Sequence, residues 1–171
     1  VQARYEDPVS LIWTAVAHRL GFTLVRSDAA YASYDGAGRL CIASDEALDS
    51  DDNLAQMILH ELCHALVQGE RALKLPDWGL ENMDDSMLTE ERACHRLQAY
   101  FAGRVGLRRF LAVTTEHRDH YDALPESPLV GSDDPAIDLA QEALLLAKRL
   151  GWYEVLTEAL EATASIGRLT Q

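Results

Sequence analysis

The sequence predicts an α+β fold, in which a small, mostly antiparallel sheet leads into a helix that carries two histidines and a mainly helical C-terminal part follows. Two observations support this prediction. Apolar residues recur at helical spacing, then occur in short runs separated by glycine turns, and then return to helical spacing. Asp-Pro pairs or glycines also stand where several of these helices begin or end. A chain of 171 residues that is 48% hydrophobic is long enough for one domain with a sizeable core.

The N-terminal part is predicted to form a helix and then three strands. Asp7 and Pro8 are typical of a helix start, and Gly21 is typical of a helix end. Strands are expected at residues 22–26, 31–34 and 39–43. The last two flank a turn with two glycines at 35–38, which predicts a hairpin.

The run from 53 to 68 is predicted to be a helix, with Asp51 or Asp52 as its N-terminal cap and Gly69 as its stop. It contains the motif H-E-x-x-H at 60–64. At about 3.6 residues per turn, His60 and His64 project from one face and can hold one metal ion.

Glu61 follows the first histidine of this motif and can reach a water molecule on the same metal. It is therefore the candidate general base. The helix is apolar almost all round, so two histidines and a glutamate would be costly to bury on it without a partner. A metal ion supplies that partner.

The charge and the cysteines indicate the general class of the protein. The formal charge of -13 and the pI near 4.7 argue against binding to nucleic acid or to anionic membrane surfaces. No apolar run approaches the roughly 20 residues of a membrane span, and no signal-peptide pattern is evident. Three cysteines without a C-x-x-C pair favour the cytoplasm, and Cys63 and Cys94 are interpreted as small buried residues.

The segments "GRLCIAS" and "NLAQMILHELCHALVQG" resemble the ImmA/IrrE-type branch of the zincin metallopeptidases, over roughly residues 22–101. The resemblance implies a minimal zincin-like domain, and the chain is interpreted as one such domain over 1–171 with a catalytic core at 1–123. The rest, at 124–171, is predicted to be a helical pair from its Asp-Pro start and its apolar spacing. The resemblance also implies one Zn²⁺ per chain and a peptide or protein substrate. The strand at 39–43 would then lie along the cleft, with a free edge that pairs with substrate.

The third metal ligand is expected on the next helix, at 84–103, because a catalytic zinc usually has three protein ligands and an open position. The resemblance is to the glutamate type (gluzincins), and both Glu90 and Glu91 fit its spacing. Glu91 shares a polar stripe with His95 and Gln98 and is favoured for that reason, with Glu90 as the alternative. His95 is a further candidate, which would make a three-histidine site.

Other residues are expected around the cleft. Zincins commonly use a downstream histidine or tyrosine to donate a hydrogen bond to the developing oxyanion. The candidates here are His117, His120 and Tyr121. The connection between the two helices is interpreted as a polar loop with one anchoring aromatic residue. The alternative is that its acidic residues orient the ligand histidines and its tryptophan walls the cleft. These residues are Asp77, Trp78, Glu81 and Asp84.

Two functions are compatible with this pattern. The first is a zinc metallopeptidase that hydrolyses peptide bonds, with Glu61 as general base. The alternative is a non-catalytic, zincin-fold metal-binding module that binds a protein without cutting it. A closed site with His95 or Cys63 as a fourth ligand would mark the module, and an open ligand position would mark the enzyme.

Overall fold

The computed structural model describes residues 6–80 and 87–168. It confirms the α+β class. In chain order the elements are α1 (Pro8–Arg19), β1 (Thr23–Arg26), β2 (Ala32–Tyr34), β3 (Arg39–Ile42), α2 (Leu54–Gln68), α3 (Leu88–Gly103), α4 (Arg118–Asp122), α5 (Pro135–Arg149) and α6 (Trp152–Arg168). Short 3₁₀ turns occur at Glu70–Lys74, Asp77–Gly79 and Thr115–His117. Within the described ranges, none of the helices has the length and apolar character needed to cross a bilayer.

The sheet is mixed, so the prediction of a mostly antiparallel sheet is wrong. Its strand order is β1-β3-β2, with β3 parallel to β1 and antiparallel to β2. The predicted hairpin of β2 and β3 is present, but its second strand inserts beside β1. The predicted free edge at 39–43 is therefore also wrong, because β3 is paired on both sides. At this end of the sheet the edge strand is β2.

The N-terminal cap of helix α2 lies one residue after Asp52 and two after Asp51, so neither cap proposed from the sequence is correct. Asn53 is the cap, and its side chain accepts a hydrogen bond from the backbone N–H of Gln56 at 2.9 Å. The Gln56 side chain accepts in turn from the Asn53 backbone N–H at 3.2 Å, which completes a capping box. At the other end Gly69 adopts a φ of 86°, which ends the helix as expected.

Helix α2 lies at the centre of the molecule, and every residue from Leu54 to Leu66 is buried. It packs against α1, α3 and α5, and α6 packs against α1. A single apolar cluster contains side chains from all of these helices. The two C-terminal helices therefore share the core that holds the histidine motif. The buried indole of Trp13 also ties α1 to α6 by donating to Thr163 Oγ1 at 3.0 Å.

Candidate metal centre

Helices α2 and α3 bring His60, His64 and Glu91 together. His60 Nε2 and His64 Nε2 are 3.1 Å apart. The two oxygens of Glu91 lie 3.3 Å from His64 Nε2 and 3.8 Å from His60 Nε2. In a tetrahedral zinc site with bonds of about 2.0–2.1 Å, neighbouring ligand atoms are about 3.3 Å apart. The spacing of these three side chains therefore suits a metal ion between them.

Gln98 fixes the protonation of His60. The Gln98 side-chain N–H donates to the Leu111 carbonyl at 2.9 Å, so its amide oxygen faces His60 Nδ1, also at 2.9 Å. That oxygen can only accept, so Nδ1 carries the proton of the neutral imidazole. The lone pair of His60 then lies on Nε2, the atom that faces His64 and Glu91. This arrangement is typical of metal-binding histidines.

One buried oxygen of the site lacks a hydrogen-bond partner among the described residues. Glu91 Oε2 is buried and makes no hydrogen bond within the described residues. Burial lowers the pKa of His64 to about 3, so its imidazole is neutral at physiological pH. Two neutral imidazoles and a carboxylate directed at one point are the donor set that a divalent metal ion satisfies. The residues present therefore fit a metal ion.

Cys94 offers a second ligand set with the same two histidines. Ligand atoms of His60, His64 and Cys94 all lie within 4.8 Å of one another. However, the Cys94 sulfur approaches His60 at Nδ1, at 3.6 Å, where Gln98 already binds. The Cys94 thiol also donates to the His60 backbone carbonyl, with 3.5 Å between the two atoms. Glu91 approaches both histidines at Nε2, so the geometry favours Glu91 over Cys94 as the third ligand.

The other two candidates for the third ligand, Glu90 and His95, do not take the position that Glu91 takes beside the motif histidines. Among the described residues, Glu90 forms no ion pair with either histidine of the motif, and one of its oxygens is buried without a partner. His95 Nε2 contacts Glu91 Oε1 at 2.7 Å. His95 therefore orients the Glu91 carboxylate.

Glu61 lies beside this group and is held by Trp78. The Trp78 indole N–H donates to Glu61 Oε2 at 2.8 Å, and both side chains are buried. Burial raises the pKa of Glu61. The nearby His60 and the hydrogen bond from Trp78 oppose that rise. Asp77, a candidate for orienting a histidine, instead accepts from the Tyr34 backbone N–H at 2.9 Å. Glu81 and Asp84 lie outside the described residues.

A cavity of about 480 Å³ opens above the site. His60, Glu61, His64 and Glu91 all line it, together with residues of β2, the Asp77–Gly79 turn and the Thr115–His117 turn. The cavity therefore gives a ligand access to the candidate metal position.

Of the three candidate oxyanion donors, His117 lines the cavity. His120 instead packs its ring on His95, with 5.5 Å between centroids. Tyr121 is fully buried and donates from its hydroxyl to the Arg108 carbonyl at 3.1 Å. The structure thus brings His117 to the site but not His120 or Tyr121.

The sequence does not indicate the roles of Gln98 and Trp78. It marks Gln98 only as a polar neighbour of Glu91, and Trp78 only as a candidate wall of the cleft. The stripe that Gln98 shares with Glu91 on α3 was the available indication that it faces α2. No pattern in the sequence pairs Trp78 with Glu61, because the two residues lie on separate elements.

We expect the Gln98→Leu substitution to lower zinc affinity by about 10- to 100-fold, because it removes the group that fixes the tautomer and ring orientation of His60. Competition with a chromophoric chelator would measure this loss. Gln141→Leu is the matched control, since Gln141 lies on α5 and its side-chain N–H donates in a similar way to the Leu129 carbonyl. Equal zinc affinity in wild type and the Gln98 variant would contradict this role.

The buried histidines should make the metal-free protein sensitive to acid. Burial lowers the pKa of His95 to about 4, while an unfolded histidine titrates near 6.5. Because the unfolded chain binds more protons between these values, the free energy of unfolding falls as pH drops from 6.5 towards 4. The raised pKa of Glu61 has the opposite effect on the free energy of unfolding. The contribution of His95 is therefore measured by comparing wild type with a variant that lacks only this histidine.

Between pH 6.5 and 5, the fall in the free energy of unfolding should be about 1.5 kcal/mol smaller for His95→Gln than for wild type. Urea denaturation of the metal-free proteins measures it. Replacement of the exposed His18 by Gln should leave the fall unchanged. The same fall in all three proteins would show that His95 is not held neutral.

Comparison of the chain with protein-family models, with curated proteins and with solved structures gave no match.

Proposed function

We propose that the protein is a zinc-dependent metallopeptidase that hydrolyses peptide bonds. The observation that carries this proposal is the convergence of His60, His64 and Glu91 beside Glu61 in one open cavity. Three protein ligands with space on the fourth side are typical of catalytic zinc, whereas structural zinc sites have four protein ligands. A purely structural site would also have no use for Glu61.

When bound, a zinc ion supplies a Lewis acid that polarises the substrate carbonyl and lowers the pKa of water. Glu61 accepts the proton of the attacking water and returns it to the leaving amine. Its burial raises its pKa, which makes the carboxylate a stronger base. Trp78 donates a hydrogen bond to one oxygen of Glu61. His117 lines the cavity and is the candidate hydrogen-bond donor to the developing oxyanion.

Strand β2 is the candidate docking edge for an extended peptide. Its bonds to β3 run through alternate residues, with Tyr31 O accepting from Ala43 and Asp35 N–H donating to Arg39. The backbone groups of Ala32 therefore face away from β3, and Ala32 lines the cavity. An added strand would pair there, and the pairing would be independent of sequence.

We expect Ala32→Pro to raise KM for peptides by up to about 10-fold, because it removes one outward N–H from this edge. Ala32→Val, which keeps the N–H and adds similar bulk, is the control. Hydrogen exchange should also show added protection at Ala32 when a peptide hydroxamate binds. Equal KM values for the two variants, with no added protection, would exclude β2 as the docking edge.

The proposed function is tested by loading the purified protein with zinc and assaying a mixture of peptides for new termini by mass spectrometry. We expect about one zinc per chain and cleavage that stops when the metal is chelated. Absence of zinc uptake would refute the proposal. Zinc uptake with peptide binding but without cleavage would instead identify a metal-stabilised protein-interaction module.

A further inference from the structure

Within the described residues, one oxygen of the Glu61 carboxylate has a hydrogen-bond partner and the other has none. Oε2 accepts the indole N–H of Trp78 at 2.8 Å. Oε1 makes no hydrogen bond within the part of the chain that the structure describes, and Glu61 lines the cavity. A carboxylate can rotate about its last side-chain bond, and one fixed oxygen removes that freedom. The Trp78 bond therefore determines which oxygen is left for the cavity.

The Trp78 ring is itself held on two sides. It stacks on Tyr34 with 3.8 Å between centroids and an angle of 8° between the planes. Phe22 contacts it edge-on at 5.8 Å. The Tyr34 hydroxyl is anchored by donating to the Leu73 carbonyl at 2.8 Å. An indole packed in this way cannot turn its N–H away from Glu61 without disturbing the sheet.

The backbone that presents Trp78 is in a conformation that side chains rarely adopt. Asp77 has a φ of 46° and Trp78 a φ of 58°, both in the left-handed region. Asp77 compensates in part by accepting from the Tyr34 backbone N–H. Strained non-glycine residues of this kind persist where the surrounding structure holds them, and they concentrate at functional sites.

We propose that Trp78 is a positioning residue that holds Glu61 with one oxygen directed at the reacting water. The role rests on the proposed function, because Glu61 needs a fixed orientation only if it transfers a proton or binds a group at the metal. Small displacements of a catalytic group can cost about 100-fold in rate. A tryptophan that only filled the core would have no effect on the chemistry.

Trp13 provides a matched control. Its indole is fully buried and donates to Thr163 Oγ1 at 3.0 Å, between α1 and α6. It does not line the cavity. Trp13→Phe and Trp78→Phe therefore each remove one buried indole hydrogen bond, but only the second removes a bond to Glu61.

The contact is tested by nuclear magnetic resonance of the indole N–H groups, without any activity. Glu61→Gln and Glu61→Ala should move the Trp78 signal and leave the Trp13 signal in place, in metal-free and in zinc-loaded protein. The Trp78 signal is assigned by its loss in Trp78→Phe. An unmoved Trp78 signal in Glu61→Ala would overturn the proposal.

The consequence is tested with acetohydroxamate, a zinc ligand whose acidic proton Glu61 can accept. Calorimetry on zinc-loaded protein should show that Trp78→Phe and Glu61→Gln each bind acetohydroxamate with about 10-fold lower affinity than wild type. The double variant should show little further loss of affinity. Trp13→Phe should bind as wild type does. Additive losses, or an equal loss in Trp13→Phe, would overturn the positioning role.

Kinetics separate this proposal from the proposed function. If the protein cleaves peptides, Trp78→Phe should lower kcat by about 10- to 100-fold with KM and zinc content unchanged. If wild type binds zinc and acetohydroxamate but cleaves nothing, the peptidase proposal fails. Non-additive hydroxamate binding would still support the positioning of Glu61 in that case.

Discussion

The Glu61→Gln variant is expected to lose peptide hydrolysis by about 10²- to 10⁴-fold while keeping its zinc and its fold, as expected when a general base is removed. Gln has the same shape, and its amide oxygen can still accept the Trp78 hydrogen bond. It cannot take the proton of the attacking water. Steady-state kinetics, zinc content and thermal unfolding of the same preparation measure the three quantities together.

Glu90→Gln is the matched control for this variant. The substitution also replaces a glutamate by glutamine on a helix, α3. Unlike Glu61, however, Glu90 does not line the cavity. Its activity should remain within a few-fold of wild type. If Glu61→Gln retained full activity with zinc bound, Glu61 would not be the base and the proposed mechanism would be wrong.

The second large effect is expected on metal binding. His64→Ala and Glu91→Ala should each lower zinc affinity by more than about 100-fold, since replacing residues that merely orient ligands already costs about 10- to 100-fold. Zinc should raise the melting temperature of wild type and fail to raise that of these variants, because binding stabilises only the folded state. Calorimetric titration and thermal scans with zinc measure both effects.

Two controls separate the possible ligand sets. Glu90→Ala should bind zinc as wild type does, since Glu90 forms no ion pair with the motif histidines within the described residues. Cys94→Ala should also bind zinc normally. If Cys94→Ala lost zinc and Glu91→Ala retained it, the ligand set would be His60, His64 and Cys94.

The local features of the site were predictable because they depend on short sequence separations. Helical spacing places His60 and His64 on one face, and Gly69 ends their helix as expected. The polar stripe on α3 favoured Glu91 for the same reason. Glu91 does lie 3.3 Å from His64.

The remaining features depend on how separate elements meet. The strand pattern gives each strand but not the pairing order, so the insertion of β3 beside β1 was missed, and with it the docking edge. Whether Gln98 reaches His60 depends on the packing of α2 on α3. The contact of Trp78 with Glu61 depends on two left-handed residues that no sequence pattern required.

X-ray absorption at the zinc edge of the zinc-loaded protein tests the central claim most directly, because it reads the ligand set from the metal itself. We expect a shell of nitrogen and oxygen ligands at about 2.0–2.1 Å, with two imidazoles, one carboxylate and a water in the open position. A sulfur ligand at about 2.3 Å, or four protein ligands with no exchangeable position, would contradict a catalytic site formed by His60, His64 and Glu91.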